Sequence, residues 1–158
     1  MTQPLLQFEQ GVAQRLRDAG WSESRQVDVA DATRYLSEHG FRVHPFAVAA
    51  FGNLGGLEFD LPEGGISWLA FDTRGAARFL TPEGVARAEE IVGETLSPIG
   101  HGGGYAVLLA PSGRAYLLHD EWLCLIGCPT LNGLLHTIFT GDRTGCEDFP
   151  LGEGQLDE

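Results

Sequence analysis

The chain contains no lysine, and its ten basic residues are all arginines. Against these stand 22 aspartates and glutamates, which give a formal net charge of -12 at pH 7. A surface with such an excess of carboxylates repels the phosphates of nucleic acids, so we expect no direct binding of nucleic acid. The same surface attracts a partner with a basic surface and speeds the encounter with it.

Long apolar runs and a disulfide framework are also missing. No uncharged apolar run approaches the roughly 18 residues that a membrane-spanning helix needs. The three cysteines, Cys124, Cys128 and Cys146, are an odd number. The first residues, MTQPLLQFEQGV, have no basic region followed by an apolar core, as a secretory signal would. We therefore expect a protein without membrane contact in a reducing compartment, most simply the cytoplasm.

Glycine is abundant, and two glycine clusters raise the question of a phosphate-binding loop. Gly55 and Gly56 lie between an apolar segment and the alternating LEFDL, and GHGGGY occupies residues 100–105. A phosphate loop needs a lysine and a following helix whose N-terminus meets the anion. Because strands follow both clusters, we interpret the first as a turn in which one glycine has a positive φ. We interpret the second as a flexible hairpin or loop.

Metal binding and nucleophilic catalysis find little support. Cys124 and Cys128 are four residues apart, with His119 and His136 nearby in the sequence, but structural zinc sites pair their ligands more regularly and usually twice. We expect no metal and no cofactor. No G-x-S-x-G motif is present, and PSG around Ser112 is typical of a turn. A small hydrolase that uses a histidine with Cys124 or Ser112 remains an alternative.

The hydrophobic pattern changes from a helical period to an alternating one along the first half of the chain. Apolar residues recur at helical spacing up to Leu16 and again from about Asp28 to His39, and Pro45 is suited to the first position of a third helix. Residues 57–61 alternate between apolar and acidic, and residues 66–71 are mostly apolar, which predicts two strands.

The second half predicts one helix, three strands and a final helix. The first of these two helices is predicted to begin at Thr81 and Pro82. The runs YAVLLA, RAYLLH and WLCLIG are predicted to form strands joined as hairpins. The final helix runs from Pro129 to Gly141. The expected class is α+β: a single domain, residues 1–141, whose antiparallel sheet of about five to six strands has the N-terminal helices and the C-terminal helix packed on one face. Residues 142–158, with six acids and one arginine, are expected to form a mobile acidic tail.

Several segments occur together in the order found in a known family. AGW is followed by SRQVDV, then by YLSEHGFRVHPFAVAAFGNLGGLEFD and later by LSPIGHGGGYAVLLAPSGRAYLLHDEWLCLIG. Over roughly residues 15 to 141 the chain resembles the third branch of the SUKH superfamily (SMI/KNR-like) of bacterial immunity proteins. The resemblance implies an α+β domain, generally non-enzymatic, that is often encoded beside a polymorphic toxin, which it binds and blocks. The positions that match the family pattern, and that it implies to be architectural, are Trp21, Gly55, Gly56, Pro98 and Gly100.

The resulting hypothesis is an immunity protein that occludes the active site or substrate groove of a cognate toxin with a basic surface. A toxin that acts on nucleic acids is basic where it grips phosphate, and an acidic partner can mimic that phosphate. The alternative, from a different class, is a ligand-binding or scaffold domain that regulates another cellular process.

The candidate docking face consists of acidic residues near the glycine turn and the strand edges: Glu58, Asp60, Asp72, Asp120 and Glu121. Glu58 and Asp60 alternate with apolar neighbours, so both are expected to point to one exposed side. Asp72 ends the adjacent strand, and the other two acids lie at a predicted hairpin tip. A solvated face that only keeps the protein soluble would use the same residues.

Overall fold

A computed structural model describes residues 7–62, 66–78, 80–119 and 124–150 of the chain. In these ranges, seven strands and six helices are present. The helices are α1 (Gln10–Asp18), α2 (Ala30–Glu38), α3 (Pro45–Leu54), α4 (Thr73–Arg78), α5 (Pro82–Val92) and α6 (Leu131–Thr140). The strands are β1 (Glu58–Asp60), β2 (Trp68–Ala70), β3 (Ser97–Gly102), β4 (Tyr105–Leu109), β5 (Ala115–His119), β6 (Cys124–Cys128) and β7 (Glu147–Pro150). None of the described helices has the length and apolar character needed to cross a membrane.

The strands form one sheet in which they follow each other in chain order, with β1 at one edge and β7 at the other. Every neighbouring pair is antiparallel, including β2–β3 and β6–β7, whose connections contain helices. Ala106 of β4 lies opposite Leu118 of β5, and Leu118 lies opposite Leu125 of β6. The predicted α+β class and the antiparallel sheet are therefore confirmed.

The sheet has seven strands, more than the predicted five to six, because two strands lie where none was expected. β3 occupies SPIGHG and includes part of the segment interpreted as a loop; only Gly103 and Gly104, with φ of +57° and +88°, form the turn. A Cβ atom at Gly100 would lie 2.8 Å from the carbonyl oxygen of Ala70, so this glycine allows β2 and β3 to approach. β7 lies within residues 142–158 and pairs with β6.

Helices cover both faces of the sheet, and the prediction of a single covered face is wrong. Along β4, Val107 and Leu109 belong to the core formed with α1, α3 and α6. The alternate residues Ala106 and Leu108 belong to a second core formed with α2, α4 and α5. The run YAVLL is apolar at every position because both of its faces are buried, as is typical of a central strand between two helical layers.

The turn between α3 and β1 has the predicted backbone geometry. Gly56 has a φ of +87°, which confirms that one of the two glycines adopts the left-handed conformation. Its N–H donates to the carbonyl oxygen of Phe71 at 2.8 Å, and the N–H of Phe71 donates to that of Leu57 at 2.9 Å. The turn thereby directs the chain into β1, alongside β2.

Candidate functional site

Strand β1 is an edge strand whose alternation places two acids on one face. Phe59 is buried in the core that contains α1, α3 and α6. Glu58 and Asp60 on either side of it are exposed, so they project from the opposite face. Across the strand pair, Glu58 lies opposite Ala70 and Asp60 lies opposite Trp68. The two acids thus share a face with one apolar and one aromatic side chain of β2.

His101 of β3 extends this face of the sheet by one strand, since it lies opposite Ala70. Its ring packs edge-on against the indole of Trp68, with the ring centroids 5.0 Å apart. Its Nε2 atom lies 3.7 Å from Oδ2 of Asp72, beyond hydrogen-bond distance but close enough for charge interaction. His101 is 9% exposed, whereas 54% of the Asp72 side chain is exposed.

These residues line a shallow groove of about 520 Å³ at the β1 edge of the sheet. We call it the edge groove and define it by Glu58, Asp60, Trp68, Ala70, Asp72 and His101. The three carboxylates of the groove are exposed, whereas the side chains of Trp68, Ala70 and His101 are more buried. The arrangement combines negative charge with a partly exposed aromatic surface.

A glycine of α4 allows the inner side of the edge groove to form. Gly75 is buried, and a Cβ atom there would collide with Nε2 of His101 and lie 2.7 Å from Oδ2 of Asp72. Only a residue without a side chain leaves room for both groups beside the helix. Gly75 therefore positions the imidazole and the carboxylate against each other.

Burial is the largest influence on the pKa of His101 and lowers it below the ordinary value of 6.5. The carboxylate of Asp72 opposes this and raises the pKa, while the positive charge of Arg78 lowers it further. Since the pKa falls overall, His101 is neutral at neutral pH. The charge of the edge groove then comes from its carboxylates alone.

The structure brings together three of the acids proposed from the sequence, namely Glu58, Asp60 and Asp72. The other two, Asp120 and Glu121, lie outside the described residues. The neutral members of the groove are not among the predicted site residues. Trp68 is half-buried within the segment predicted as the second strand, and His101 belongs to the cluster interpreted as a hairpin or loop. The strand alternation that places Trp68 opposite Asp60 was the signal that could have found the tryptophan.

The nucleophile candidates lie elsewhere, at the other strands. Cys124 of β6 lies opposite His119 of β5, and its Sγ accepts a long hydrogen bond of 3.8 Å from the hydroxyl of Tyr105. Ser112, in the β4–β5 turn, donates its hydroxyl to the carboxylate of Glu94 at 2.8 Å. The hydroxyl is therefore hydrogen-bonded to a carboxylate and not to the histidine base on which the hydrolase alternative depends.

The fold does not bring the four residues considered for a metal site into one cluster, although His119 and Cys124 lie opposite each other. His136 of α6 lies between two carboxylates, with Nδ1 3.5 Å from Glu9 and Nε2 3.2 Å from Asp142. Cys128 contacts Cys146 instead, with the two Sγ atoms 2.9 Å apart. In the part of the chain that the structure describes, no three histidine, cysteine, aspartate or glutamate side chains are grouped closely enough to hold a metal ion.

The fold and the edge groove define a small acidic α+β domain that exposes carboxylates beside an aromatic side chain. Comparison with protein-family models gives a match to SUKH-3 immunity protein over residues 8–144, which include α1 to α6, β1 to β6 and the edge groove. The chain therefore belongs to the SUKH-3 immunity protein family, and this membership indicates a role in toxin immunity. Neither the curated proteins nor the solved structures give a match.

Proposed function

We propose that this protein is a non-enzymatic immunity protein that binds a cognate bacterial polymorphic toxin through the edge groove and blocks it. The observation that carries the proposal is the grouping of three carboxylates around a half-buried tryptophan at the edge of the sheet, in a chain of this family. The bound chain would cover the active site or the substrate groove of the toxin. It would act in the cytoplasm, where such a toxin meets its target.

The chemistry of the groove suits a toxin with a basic surface. A guanidinium of the toxin can pair with Glu58 or Asp60 while its planar face lies on the indole of Trp68. Asp72, which follows β2, adds a further carboxylate to the groove. A toxin that grips nucleic acid presents arginine and lysine in this way, so the groove would occupy the toxin's phosphate-binding groups.

Charges on an edge strand also discourage unwanted strand pairing, and the short acidic β1 fits that role. Edge protection, however, requires charges on β1 only. It does not account for the half-buried Trp68 on β2 or for Asp72 after that strand. These two residues are the part of the groove that favours a docking surface over a merely solvated one.

The test uses the purified domain of the cognate toxin together with the full-length chain. The Glu58→Arg/Asp60→Arg variant should associate roughly tenfold more slowly with a basic toxin, and its association rate should depend less on salt. Its melting temperature should remain nearly that of the wild type, because both side chains are exposed. A matched control, Glu38→Arg/Glu90→Arg, makes the same charge change at exposed positions outside the groove and should bind almost normally.

Two outcomes would contradict the proposal at different levels. If the wild-type chain neither binds the toxin nor protects cells that produce it, the immunity function itself is wrong, and a regulatory scaffold domain becomes the better explanation. If the Glu58→Arg/Asp60→Arg variant protects cells and binds with unaltered kinetics, the function stands and the edge groove is not the docking site.

A further inference from the structure

Two of the three cysteines meet where β6 and β7 come together. Cys128 ends β6 and is 2% exposed, while Cys146 lies just before β7 and is half-buried. Their Sγ atoms are 2.9 Å apart, although the residues are 18 positions apart in the sequence. This distance is longer than the S–S bond of a disulfide, about 2.05 Å, but shorter than the distance between two sulfur atoms in van der Waals contact.

The strand register explains why the two thiols meet. Gly127 of β6 lies opposite Glu147 of β7, so the next antiparallel positions along the pair are Cys128 and Cys146. Directly opposed residues in antiparallel strands have Cα atoms about 4.5–5.5 Å apart. Disulfides join residues whose Cα atoms are about 4.4–6.8 Å apart, so a bond here needs only side-chain rotation.

We propose that hydrogen peroxide converts Cys128 and Cys146 into an intramolecular disulfide that fastens β7 to β6. In the first step, one thiol reacts with peroxide to form a sulfenic acid, and one water leaves. In the second step, the other sulfur attacks the sulfenic sulfur, a second water leaves with the thiol proton and the sulfenic oxygen, and the S–S bond forms. Overall, two thiols are oxidised and one peroxide is reduced to two waters.

The surroundings assign the order of the two steps. Burial, together with its contact to Cys146, raises the pKa of the Cys128 thiol to about 12, so this sulfur stays protonated at neutral pH. Cys146 is the more accessible of the two and lies 3.1 Å from the hydroxyl oxygen of Thr137. Peroxide therefore reaches Cys146 first, and Cys128 is the resolving thiol.

The third cysteine does not belong to this pair and provides a matched control. Cys124 lies at the opposite end of β6, about 13 Å away along the strand at the usual rise per residue. Cys146 lies beyond the residues that match the family, which end at 144. The disulfide is thus an inference about this chain, and it is independent of the proposed docking site.

The experiment measures free thiols in the full-length chain before and after treatment with hydrogen peroxide. The reduced protein should show three thiols, and the oxidised protein one. Trypsin cleaves after Arg114 and Arg143, which places Cys124 and Cys128 on one peptide and Cys146 on the next. Mass spectrometry without reductant should find these two peptides joined, with the mass of two hydrogen atoms lost.

Two variants identify the bond. Cys124→Ser should retain the joined peptides, whereas Cys146→Ser should lose them. Oxidation should raise the melting temperature of the wild type and of Cys124→Ser by roughly 5–10 °C, and dithiothreitol should reverse the rise. Cys146→Ser, altered at a half-buried position, should show no such rise.

Three results would overturn the inference. In the first, three thiols persist after oxidation of the wild type. In the second, the peptides are joined in the wild type but not in Cys124→Ser, which would assign the bond to Cys124. In the third, the bond links two chains, as a dimer on a non-reducing gel would show.

Discussion

His44 caps α3 and ties that helix to the sheet through an imidazole that must be neutral. Its Nδ1 atom accepts the N–H of Ala47 at 3.2 Å, and its Nε2 atom lies 2.7 Å from the carbonyl oxygen of Leu109, to which it donates. Only the neutral tautomer with its proton on Nε2 makes both bonds. Burial is the largest influence on the pKa of His44 and lowers it, although the bond to Leu109 and the charge of Glu94 raise it in part.

This lowered pKa predicts a loss of stability in mild acid. Because the pKa of His44 is below 6.5 in the folded state and near 6.5 in the unfolded chain, the unfolded chain binds more protons between those two values. The contribution of His44 to the free energy of unfolding is therefore fully present above pH 6.5. It falls as the pH drops below 6.5, by at most about 1.4 kcal/mol per pH unit, until the folded-state pKa is reached.

The assay is urea unfolding between pH 5 and 8 of the wild type and of His44→Asn. Asparagine keeps a capping oxygen but leaves the carbonyl of Leu109 without its donor, so unfolding at pH 7.5 should become easier by about 1–3 kcal/mol. The variant should also lose the part of the pH dependence below pH 6.5 that comes from His44. His101, whose pKa is lowered as well, acts with the same sign in both proteins and cancels in the difference.

A control and a separate pH range keep the result specific. His39→Asn makes the same substitution at an exposed histidine and should retain the part of the pH dependence that comes from His44. The pKa of Asp142 is lowered from 3.8 to about 2, so the stability it contributes is lost only below about pH 4, outside the range of the assay. If His44→Asn keeps the full wild-type slope between pH 6.5 and 5, the reasoning about the neutral cap is wrong.

Three further substitutions test the packing by urea unfolding. Gly56→Val should lower the free energy of unfolding by about 1–2 kcal/mol, since its φ is +87°; an unchanged midpoint would refute the strain. Gly75→Ala should lower the free energy of unfolding by about 1–3 kcal/mol, because the added methyl group collides with His101. A variant as stable as the wild type would contradict the close approach of His101 to α4. The indole N–H of the buried Trp21 donates to the side-chain oxygen of Asn53 at 2.7 Å. Asn53→Ala removes this acceptor and should lower the free energy of unfolding by about 1–3 kcal/mol. An unchanged free energy of unfolding would argue against this bond.

Helix boundaries were predictable because the groups that set them are neighbours in sequence. Thr81 accepts the N–H of Gly84 at 2.9 Å as the cap of α5. Thr130 caps α6 in the same way, and Gly141 ends that helix with a φ of +81°. Pro45 occupies the first turn of α3. Such signals act within four residues, so the sequence alone contains them.

The helix α4 and the strand β3 were not predictable from local pattern. α4 has only six residues and no apolar stripe, and it is stabilised by packing against other elements of the fold. β3 contains two glycines and a proline, which have low strand propensity, yet all six of its residues are buried. It forms a strand because it pairs with β2 and β4 on either side, and these tertiary contacts outweigh the low strand propensity of its residues.

In the candidate site, too, some residues are placed by the local sequence pattern and others only by the pairing of strands. Alternation with period two is local, and it was sufficient to place Glu58 and Asp60 on one face of β1. The approach of His101 to Trp68 depends instead on the pairing of β2 with β3, which the structure records at Ala70 and His101. No spacing in the sequence contains that register. The acids of the edge groove could therefore be inferred, and its inner side could not.

The position of the edge groove makes it possible to separate effects on binding from effects on folding. Beneath the exposed acids, Phe59 and Leu69 lie opposite each other and are buried in the core on the other face of the sheet. Substitutions at Glu58 and Asp60 therefore alter charge without removing a buried contact. At the inner side of the groove the two effects are joined, since His101 packs against Gly75 of α4. A loss of toxin binding at the β1 acids with unchanged stability would thus identify recognition, whereas the same loss at Gly75 could arise from either cause.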